Sequence, residues 1–434
     1  MTSDISDSMS DTIEVLGDLD TSFNIPHGGS ILIISNDQSF LTHGIHKFPA
    51  KFFPELPRYL IRKYSEKGDS VLDPMCGSGT ALLEAILNDR IGIGIDIDPI
   101  ARLISKVKTT PIDPISLKLA SDSLIDQIQR VVHDESHEFS IPDFNYRDNW
   151  FRPFVLHELA IILDSINKVQ TNQPERKEIG DFFRVVMSSI IRDVSNADSH
   201  CTRTVLRKKV VKKIEPGDTI SKFEQMLARQ QVAMKEFTNI ADTLEIGHVR
   251  LPEGTALNTN LEDYSIDLAV TSPPYINAVD YTRTHQLEMY WLGLLNNSPL
   301  SHVKRKYIGT ETVYKKEYDH LRTTGYETLD PILEQIFESD PRRSYIVYKF
   351  FEDMENQLKE MMRVLKPGSR YCVAIGNNLI RGIEVRSDLI LSEIATSCIG
   401  FELETTFFSK LIRHFIRIPR PERMVGEWIL VFKK

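Results

Sequence analysis

The sequence predicts an α/β protein whose mostly parallel sheet is interrupted by a block of helices. Residues 70–96 alternate a short apolar strand, a glycine-rich turn, a helix and a second strand, which is the pattern of a parallel strand–helix–strand unit. From about residue 111 to 251 this alternation stops, and apolar residues recur at helical spacing. Residues 401–408 and 427–432 are apolar runs near the end of the chain, and we expect them to form an antiparallel pair that closes the sheet.

The composition is that of an ordinary soluble protein. Of the 434 residues, 41% are apolar and 26% are charged. No run reaches the roughly 18 apolar residues that a membrane span needs, and the N-terminus lacks the basic and apolar segments of a signal peptide. We therefore expect a cytosolic, cytoplasmic protein with no membrane partner. The four cysteines are scattered without paired ligand spacing, so neither a disulfide framework nor a metal site is predicted.

An acidic segment occupies the N-terminus. It contains no lysine or arginine, and its acidic residues are Asp4, Asp7, Asp11, Glu14, Asp18 and Asp20. This composition predicts a disordered tail over residues 1–25. Because the tail carries so much of the formal net charge of −9, the rest of the chain is close to balanced. The net charge therefore does not exclude a nucleic-acid partner.

A glycine-rich turn within residues 70–80 is a candidate ligand-binding loop. The first strand of the unit breaks at Asp73, and the chain passes through Gly77 and Gly79 before the helix. Glycines let the backbone approach a ligand closely, and a helix N-terminus favours a negative group such as a carboxylate. The second strand ends at Asp96, a position from which a carboxylate can bond ribose hydroxyls in a Rossmann-like unit. The pattern suits a dinucleotide as well as another nucleoside cofactor.

A proline-rich segment precedes this turn. Three prolines fall within residues 46–57 and predict a stiff, extended lead into a helix over residues 58–64. Before it, residues 30–35 are expected to form a short strand. A purely structural role, in which the prolines stabilise the start of the helix, would explain them equally well.

The stretch 267–275 ends another buried strand, and two prolines stop its pairing because proline has no N–H. The Ser272 hydroxyl and the Pro273 carbonyl could both accept hydrogen bonds from the exocyclic amine of a base. Tyr275 could stack on a base taken out of a duplex. Such a site would lie beyond the carboxyl end of a strand, where open α/β sheets bind ligands. A strand followed by a proline turn, without any binding function, would explain residues 267–275 equally well.

These motifs resemble those of the DNA amino-methyltransferases. Residues 73–80, Asp-Pro-Met-Cys-Gly-Ser-Gly-Thr, resemble the glycine loop of that family, and residues 46–57 resemble its motif beside the methionine end of S-adenosylmethionine. Residues 272–275, Ser-Pro-Pro-Tyr, resemble its catalytic motif in the form typical of members that methylate N4 of cytosine. The resemblance covers about residues 43–100 and 250–434. It implies a Rossmann-like class I S-adenosylmethionine-dependent methyltransferase fold with a closing antiparallel strand and a helical insert domain.

The resemblance implies S-adenosyl-L-methionine as the cofactor. Residues 254–257 resemble the segment beside the cofactor adenine, although Thr255 stands where members commonly have aspartate. The implied cofactor-binding residues are Lys51, Phe52, Phe53, Pro54, Asp73, Pro74, Cys76, Gly77, Ser78, Gly79, Thr80, Asp96, Ile97, Ala256 and Leu257. The implied catalytic residues are Ser272, Pro273, Pro274 and Tyr275.

DNA contacts are expected from the helical insert and from the loop after the catalytic motif. The insert, residues 111–250, separates a cofactor half at 26–110 from a catalytic half at 251–434, and by analogy it is the candidate target-recognition domain. Residues 296–343 are a second candidate. The expected DNA-binding residues are Arg203, Arg207, Lys208, Lys209, Lys212, Lys213, Asn277, Tyr281 and Arg283. Solvation and helix capping would explain many of these equally well.

The expected function is sequence-specific methylation of the N4 amine of a flipped cytosine in double-stranded DNA. The protein would serve in restriction–modification, with a cognate restriction endonuclease as a possible partner, or as a solitary modifier. Adenine N6 methylation is the nearest alternative, because serine can replace the more usual aspartate and because many cytosine N4 enzymes have the catalytic half first. An RNA methyltransferase, or a cofactor-binding protein without catalysis, stays open as well.

Overall fold

The computed structural model describes residues 12–35, 37–134, 138–172, 176–199, 201–206, 212–276, 280–295, 303–410 and 425–434. The strands are β1 Thr12–Leu16, β2 Gly29–Ile34, β3 Ser70–Asp73, β4 Ile91–Gly94, β5 Val249–Arg250, β6 Ile266–Thr271, β7 Leu365–Ile375, β8 Asn378–Ile380, β9 Ile383–Val385, β10 Glu402–Lys410 and β11 Gly426–Lys433. The helices are α1 Glu55–Tyr64, α2 Thr80–Leu87, α3 Pro99–Thr109, α4 Pro114–Val132, α5 Arg147–Trp150, α6 Pro153–Asn172, α7 Lys177–Val194, α8 Asp218–Thr243, α9 Tyr281–Thr284, α10 Gln286–Trp291, α11 Asp330–Ser339, α12 Pro341–Val364 and α13 Ser387–Glu393. Short 3₁₀ turns lie at Leu41–Gly44 and Lys315–Glu317, and a π-helical turn lies at Ile394–Ile399.

Nine strands of the described residues form one sheet in the order β1-β2-β10-β11-β7-β6-β3-β4-β5. Strands β7, β6, β3, β4 and β5 run parallel, and β11 is antiparallel to both of its neighbours. The strand order and the antiparallel strand are those of the Rossmann-like class I methyltransferase fold, which confirms the predicted fold class. The carboxyl ends of β3, β4 and β6 therefore meet at one edge.

Strand β6 shows how alternation divides the core. Leu268 and Val270 belong to the apolar cluster that includes Leu60 of α1. Ala269 belongs instead to the cluster that includes Met354 of α12. Successive side chains of a strand point to opposite faces, so α1 and α12 cover the two faces of the sheet. The loop after β6 is thus fixed at the edge of a sheet that is buried on both sides.

The helical insert packs directly on the cofactor half. Helices α4, α6, α7 and α8 contact one another, and α3 contacts α7. A single apolar cluster runs from Ile104 on α3 through Phe182 on α7 to Trp291 on α10. The division into domains at residues 110 and 250 stays a prediction, because the core is continuous across both positions.

The prediction of a disordered tail is wrong for residues 12–25. Strand β1 pairs in parallel with β2, which in turn pairs with β10 and extends the sheet beyond the predicted closing pair. Leu19 and Ile25 are buried in the cluster that includes α1, and Asp18 forms an ion pair with Arg58. The many acidic residues made this segment look disordered, although its alternating apolar residues allow it to form a strand. Residues 1–11 lie outside the described part of the chain.

Other predicted elements are confirmed with shifted boundaries. The helix expected at 58–64 begins earlier, at Glu55, and the strand expected at 30–35 is β2. The antiparallel pair is β10 and β11. None of the helices within the described residues combines the length and apolar character that crossing a bilayer requires.

Candidate active site

A cavity of about 480 Å³ opens at the carboxyl ends of β3, β4 and β6. This volume falls within the roughly 300–1,000 Å³ typical of small-molecule sites. Most of the predicted site residues line it: Lys51, Phe52, Asp73, Pro74, Cys76, Gly77, Ser78, Thr80, Asp96, Ile97, Ala256, Leu257, Ser272, Pro274 and Tyr281. The glycine loop and the catalytic motif therefore face one space, although they are about 200 residues apart in the chain.

Three predicted cofactor residues do not line the cavity, namely Phe53, Pro54 and Gly79. Phe53 and Pro54 lead into α1 and lie just outside. Gly79 has a positive φ of 75° and ends the loop where α2 begins. A Cβ at this position would lie 2.8 Å from the Ser105 Oγ, so glycine is required by the packing of α3 rather than by a ligand.

The glycine loop is held in shape by Asp96. The Gly77 N–H donates to Asp96 Oδ2 at 2.8 Å, and the Asp98 N–H donates to Asp96 Oδ1 at 2.8 Å. Gly77 has a φ of 48°, and a Cβ there would lie 3.2 Å from the Phe48 ring. The loop can therefore follow the cavity closely only with glycine at position 77.

Two carboxylates, those of the buried Asp73 and the half-buried Asp96, make this part of the cavity acidic. Burial raises the pKa of Asp73 to about 7, although the Thr271 hydroxyl and the Met75 N–H donate to it at 2.7 and 3.1 Å. Burial, followed by the nearby Asp98 carboxylate, raises the pKa of Asp96 to about 6. Both carboxylates keep acceptor capacity, which is what hydroxyl and ammonium groups of a ligand require.

The catalytic motif is split between the cavity and its surroundings. Ser272 and Pro274 line the cavity, whereas Pro273 is buried and Tyr275 packs against the cluster on the α12 face. The Tyr275 hydroxyl donates to Glu427 Oε1 at the start of β11. Burial and then the Glu427 carboxylate raise the pKa of Tyr275 well above its usual value. The tyrosine ring is thus anchored beside the cavity.

Tyr281 is the predicted DNA-binding residue that reaches the cavity. Its ring stacks on Phe48, with 5.8 Å between the ring centroids and an angle of 21° between the rings. Phe48 also lines the cavity. The two rings form an aromatic wall next to the glycine loop, of the kind that can hold a flat base or nucleoside.

The other predicted DNA-binding residues that the structure describes do not line the cavity. Arg203, Lys213 and Arg283 are exposed. The prediction does not suit Lys212, because its Nζ donates to the Arg192 carbonyl at 2.7 Å and to the Asp193 carbonyl near the end of α7. Burial lowers the pKa of Lys212 to about 8, so this side chain supports the insert. The predicted residues Arg207, Lys208, Lys209 and Asn277 lie outside the described part of the chain.

Sequence reasoning missed one wall of the cavity. It consists of Arg305, Lys306, Tyr307 and Ile308 from the loop before α11, and Lys349 and Asp353 from α12. The basic residues 304–306 belong to the segment 296–343, which was predicted as a second DNA-contacting candidate and not as part of the cavity. No signal in the sequence indicates which turn of α12 faces the crevice.

Comparisons with known proteins agree with this geometry. Residues 30–106 match the N6_N4_Mtase family model, which is described as DNA methylase. The chain is 26% identical to the type II methyltransferase M.MvaI of Kocuria varians, over 82% of this chain and 81% of that protein. It is 25% identical to the type II methyltransferase M.BsoBI of Geobacillus stearothermophilus, over 83% and 78% of the two chains.

These similarities support a DNA amino-methyltransferase family for the chain. Among solved structures, a S-adenosylmethionine-dependent methyltransferase of Methanosarcina mazei covers 86% of this chain, and the match covers 96% of that protein, with 12% identity and a TM-score of 0.30. That superposition is too loose to bear on the fold, which the strand order establishes.

The same comparisons support amino-methylation of DNA, with S-adenosylmethionine as the cofactor. The cavity fits that cofactor chemically. It offers carboxylates at the buried Asp73 and the half-buried Asp96, and a glycine loop at the start of α2. Each of these can bind a different part of an aminoacyl nucleoside.

Proposed function

We propose that the protein methylates the N4 amine of a cytosine flipped out of duplex DNA, within a specific recognition sequence. The observation that carries this proposal is the position of Ser272. It stands at the carboxyl end of β6, in the motif Ser-Pro-Pro-Tyr, and lines the same cavity as Asp73 and the glycine loop. A hydroxyl at this point can meet a base amine directly beside the cofactor site.

Ser272 and Pro273 would prepare the amine for attack. The amine of cytosine is a poor nucleophile because its lone pair is delocalised into the ring. When Ser272 Oγ and the Pro273 carbonyl accept its two hydrogens, they favour a pyramidal nitrogen whose lone pair can point at the methyl group. S-adenosylmethionine supplies an electrophilic methyl group on a sulfonium centre.

No covalent intermediate with the protein is required. Cys76, the cysteine that lines the cavity, is buried against Ser105, and burial raises the pKa of its thiol well above the usual value. A protonated thiol is a weak nucleophile. Cytosine C5 methylation, which uses a cysteine thiolate, therefore does not suit this site.

Tyr275 and Tyr281 would hold the extruded base. Flipping costs a few kcal/mol, and stacking in the pocket offsets part of that cost. Tyr281 already faces the cavity, and Tyr275 lies next to Ser272 with its hydroxyl fixed by Glu427. We assign the stacking role to Tyr275, with Tyr281 and Phe48 as the opposite wall.

The DNA backbone would lie along the exposed basic residues of the insert. Arg203 and Lys213 are exposed on the segment between α7 and α8, and Arg283 is exposed on α9 beside the cavity wall. Contacts to phosphate supply much of the affinity of DNA-binding proteins. The protein would act as the modification partner of a restriction endonuclease or as a solitary modifier.

Adenine N6 methylation is the second candidate. The order of the motifs favours it, because the glycine loop precedes the catalytic motif here and many cytosine N4 enzymes have the reverse order. The acceptors at Ser272 and Pro273 would serve an adenine amine by the same geometry.

Sequencing of a host genome with modification-sensitive chemistry tests this proposal. Cells expressing the protein should carry a modified cytosine at one recurring motif, and cells expressing Ser272→Ala should lose most of that signal. Modification of adenine in the recurring motif would support the second candidate. A genome without any modified base would contradict the proposal that DNA is the substrate. Competition between duplex DNA and transfer RNA for labelled methyl groups would then test an RNA substrate.

A further inference from the structure

Lys108 is a buried lysine without an acidic partner. It lies at the end of α3 with 1% of its surface exposed, and it forms no ion pair with a carboxylate of the described residues. Its Nζ donates to Ser78 Oγ at 3.2 Å. A buried ammonium group normally has a compensating negative charge, because burial without one is costly.

The nearest acidic side chain is already engaged elsewhere. Glu84 accepts from His43 Nε2 at 2.8 Å and from Arg58 Nε and Nη2 at 2.7 and 3.0 Å. Burial, followed by the charge of Lys51, lowers the pKa of Lys108 well below its usual value, so its ammonium form is disfavoured until a negative group binds nearby. The protein therefore holds two amino groups close together, at Lys51 and Lys108, without a carboxylate that neutralises Lys108.

Ser78 connects Lys108 to the cavity. A protonated lysine can only donate hydrogen bonds, so when Lys108 is charged the Ser78 oxygen is the acceptor in this pair and the Ser78 hydroxyl hydrogen is free to donate. Ser78 lines the cavity, as do Lys51 and Thr80. The buried Thr80 Oγ1 has no hydrogen-bond partner. Thr80 is also the first residue of α2, whose N-terminus favours negative charge.

The cavity is thus electrically asymmetric. One part has the buried Asp73 and the half-buried Asp96. Another has Lys51, the Ser78 hydroxyl backed by Lys108, and the start of α2. A zwitterionic ligand with a carboxylate and an ammonium group matches this arrangement, whereas a neutral nucleoside leaves the basic part unused.

We propose that Lys108 is a buried positioning residue of the cofactor site. It holds Ser78 as a donor towards the carboxylate of the methionine moiety, next to Lys51, and its ammonium form balances that carboxylate when the cofactor is bound. This inference rests on the cofactor site assigned above, but it does not depend on which base is methylated. Lys108 lies outside every motif recognised in the sequence. It acts through Ser78, since it does not itself line the cavity.

Ligand binding without DNA tests the proposal. Isothermal titration would compare S-adenosylhomocysteine with its decarboxylated analogue, 5′-S-(3-aminopropyl)-5′-thioadenosine. The parent protein should prefer the carboxylate-bearing ligand by about tenfold or more, as expected for a charge-assisted hydrogen bond. In Lys108→Met, affinity for S-adenosylhomocysteine should fall by a similar factor, while affinity for the analogue changes by less than about threefold.

Two further variants separate recognition from general damage. Lys118→Met changes an exposed lysine of α4 that pairs with Asp122, and it should leave both affinities unchanged. Ser78→Ala should also reduce the preference for the carboxylate, and it keeps the question decidable if Lys108→Met fails to fold. The Lys108→Met protein should melt at the same temperature as the parent or higher, because an unpaired buried amine is removed.

Four possible results bear on different claims. Equal weakening of both ligands by Lys108→Met and Ser78→Ala would overturn the proposal, because the lysine would then only support the loop. Unchanged preference in both variants would overturn it as well. If the parent protein bound neither ligand, the cofactor site itself would be wrong. Tight binding without methylation of DNA would count against the proposed function alone.

Discussion

At the level of single residues, the active site contains an ionisable side chain, Asp73, whose charged form is unfavourable in the protein without cofactor. Asp73 is buried at the end of β3, and its pKa of about 7 shows that ionisation is unfavourable there. Binding sites often contain side chains that lower the free energy of unfolding. The sequence predicted Asp73, Asp96 and Ser272 because motif and position coincide. It did not predict Lys349 or Asp353, because their exposure to the cavity depends on how α12 rotates against the sheet.

Asp73→Asn should stabilise the protein free of cofactor above neutral pH. The pKa of Asp73 is higher in the folded protein than its ordinary 3.8, so this group lowers stability as pH rises from about 4 to 7. Both hydrogen bonds to Asp73 reach Oδ1, and asparagine can keep them. Urea unfolding should show a gain that grows from pH 5 to pH 8, to at most about 4 kcal/mol. A gain independent of pH would contradict this origin.

The same variant should bind S-adenosylhomocysteine more weakly at pH 8, because a negative charge for the ligand ammonium is lost. The expected loss is about tenfold or more, measured by titration calorimetry. Stability and affinity would thus change in opposite directions, which a folding defect cannot produce.

Ser272→Ala should lower the rate of methyl transfer while cofactor binding stays intact. The variant removes one acceptor for the base amine, and loss of one such polar contact costs about 10²–10³ in kcat. Single-turnover transfer of labelled methyl groups to duplex DNA measures the rate. Undiminished transfer would show that the amine is held elsewhere.

At the scale of elements, the loop depends on how α2 is fixed against α1. Glu84 on α2 bonds His43 and Arg58, and so joins α2 to the turn at Leu41–Gly44 and to α1. Burial alone would raise the pKa of Glu84, but the bonds from His43 and Arg58 together hold it below its usual value. The sequence predicted α2 and its loop from glycines and periodicity. It could not show this contact, because the three residues are far apart in the chain.

Glu84→Gln should destabilise the protein by about 3 kcal/mol, since it breaks a buried charged network. The urea unfolding curve measures this change. Glu338→Ala on the exposed side of α11 is the matched control, and it should change stability by less than about 0.5 kcal/mol. A loss in Glu84→Gln no larger than that of the control would show that the network contributes little.

Strand β1 shows why composition alone does not predict secondary structure. Its acidic surroundings predicted disorder, but Ile13 and Val15 pack against the core while the strand pairs with β2. Composition averages over a window, whereas pairing depends on a few alternating residues and on an available strand edge. The rest of the sheet was predictable because parallel strands joined by helices leave few alternatives.

At the scale of the whole molecule, basic residues divide into those that support the fold and those that remain available for DNA. Lys212 and Lys213 are adjacent, but Lys212 bonds carbonyls near the end of α7 while Lys213 is exposed. The sequence showed one basic run and could not distinguish the two, because the difference arises from packing between α7 and the following segment.

Lys213→Ala should weaken DNA binding and reduce the slope of log affinity against log salt concentration by about 1, as expected for one lost phosphate contact. Fluorescence anisotropy at several salt concentrations measures both. Lys212→Ala should instead lower the melting temperature with a smaller effect on the slope. If both variants left the slope unchanged, this segment would not contact DNA.

We propose that the protein transfers a methyl group to the N4 amine of cytosine in this cavity. The most direct measurement is mass spectrometry of nucleosides from duplex DNA that has been incubated with the protein and S-adenosylmethionine carrying a deuterated methyl group. We expect labelled N4-methyldeoxycytidine, and none from the Ser272→Ala protein at equal time. Labelled N6-methyldeoxyadenosine or 5-methyldeoxycytidine in its place would contradict the account.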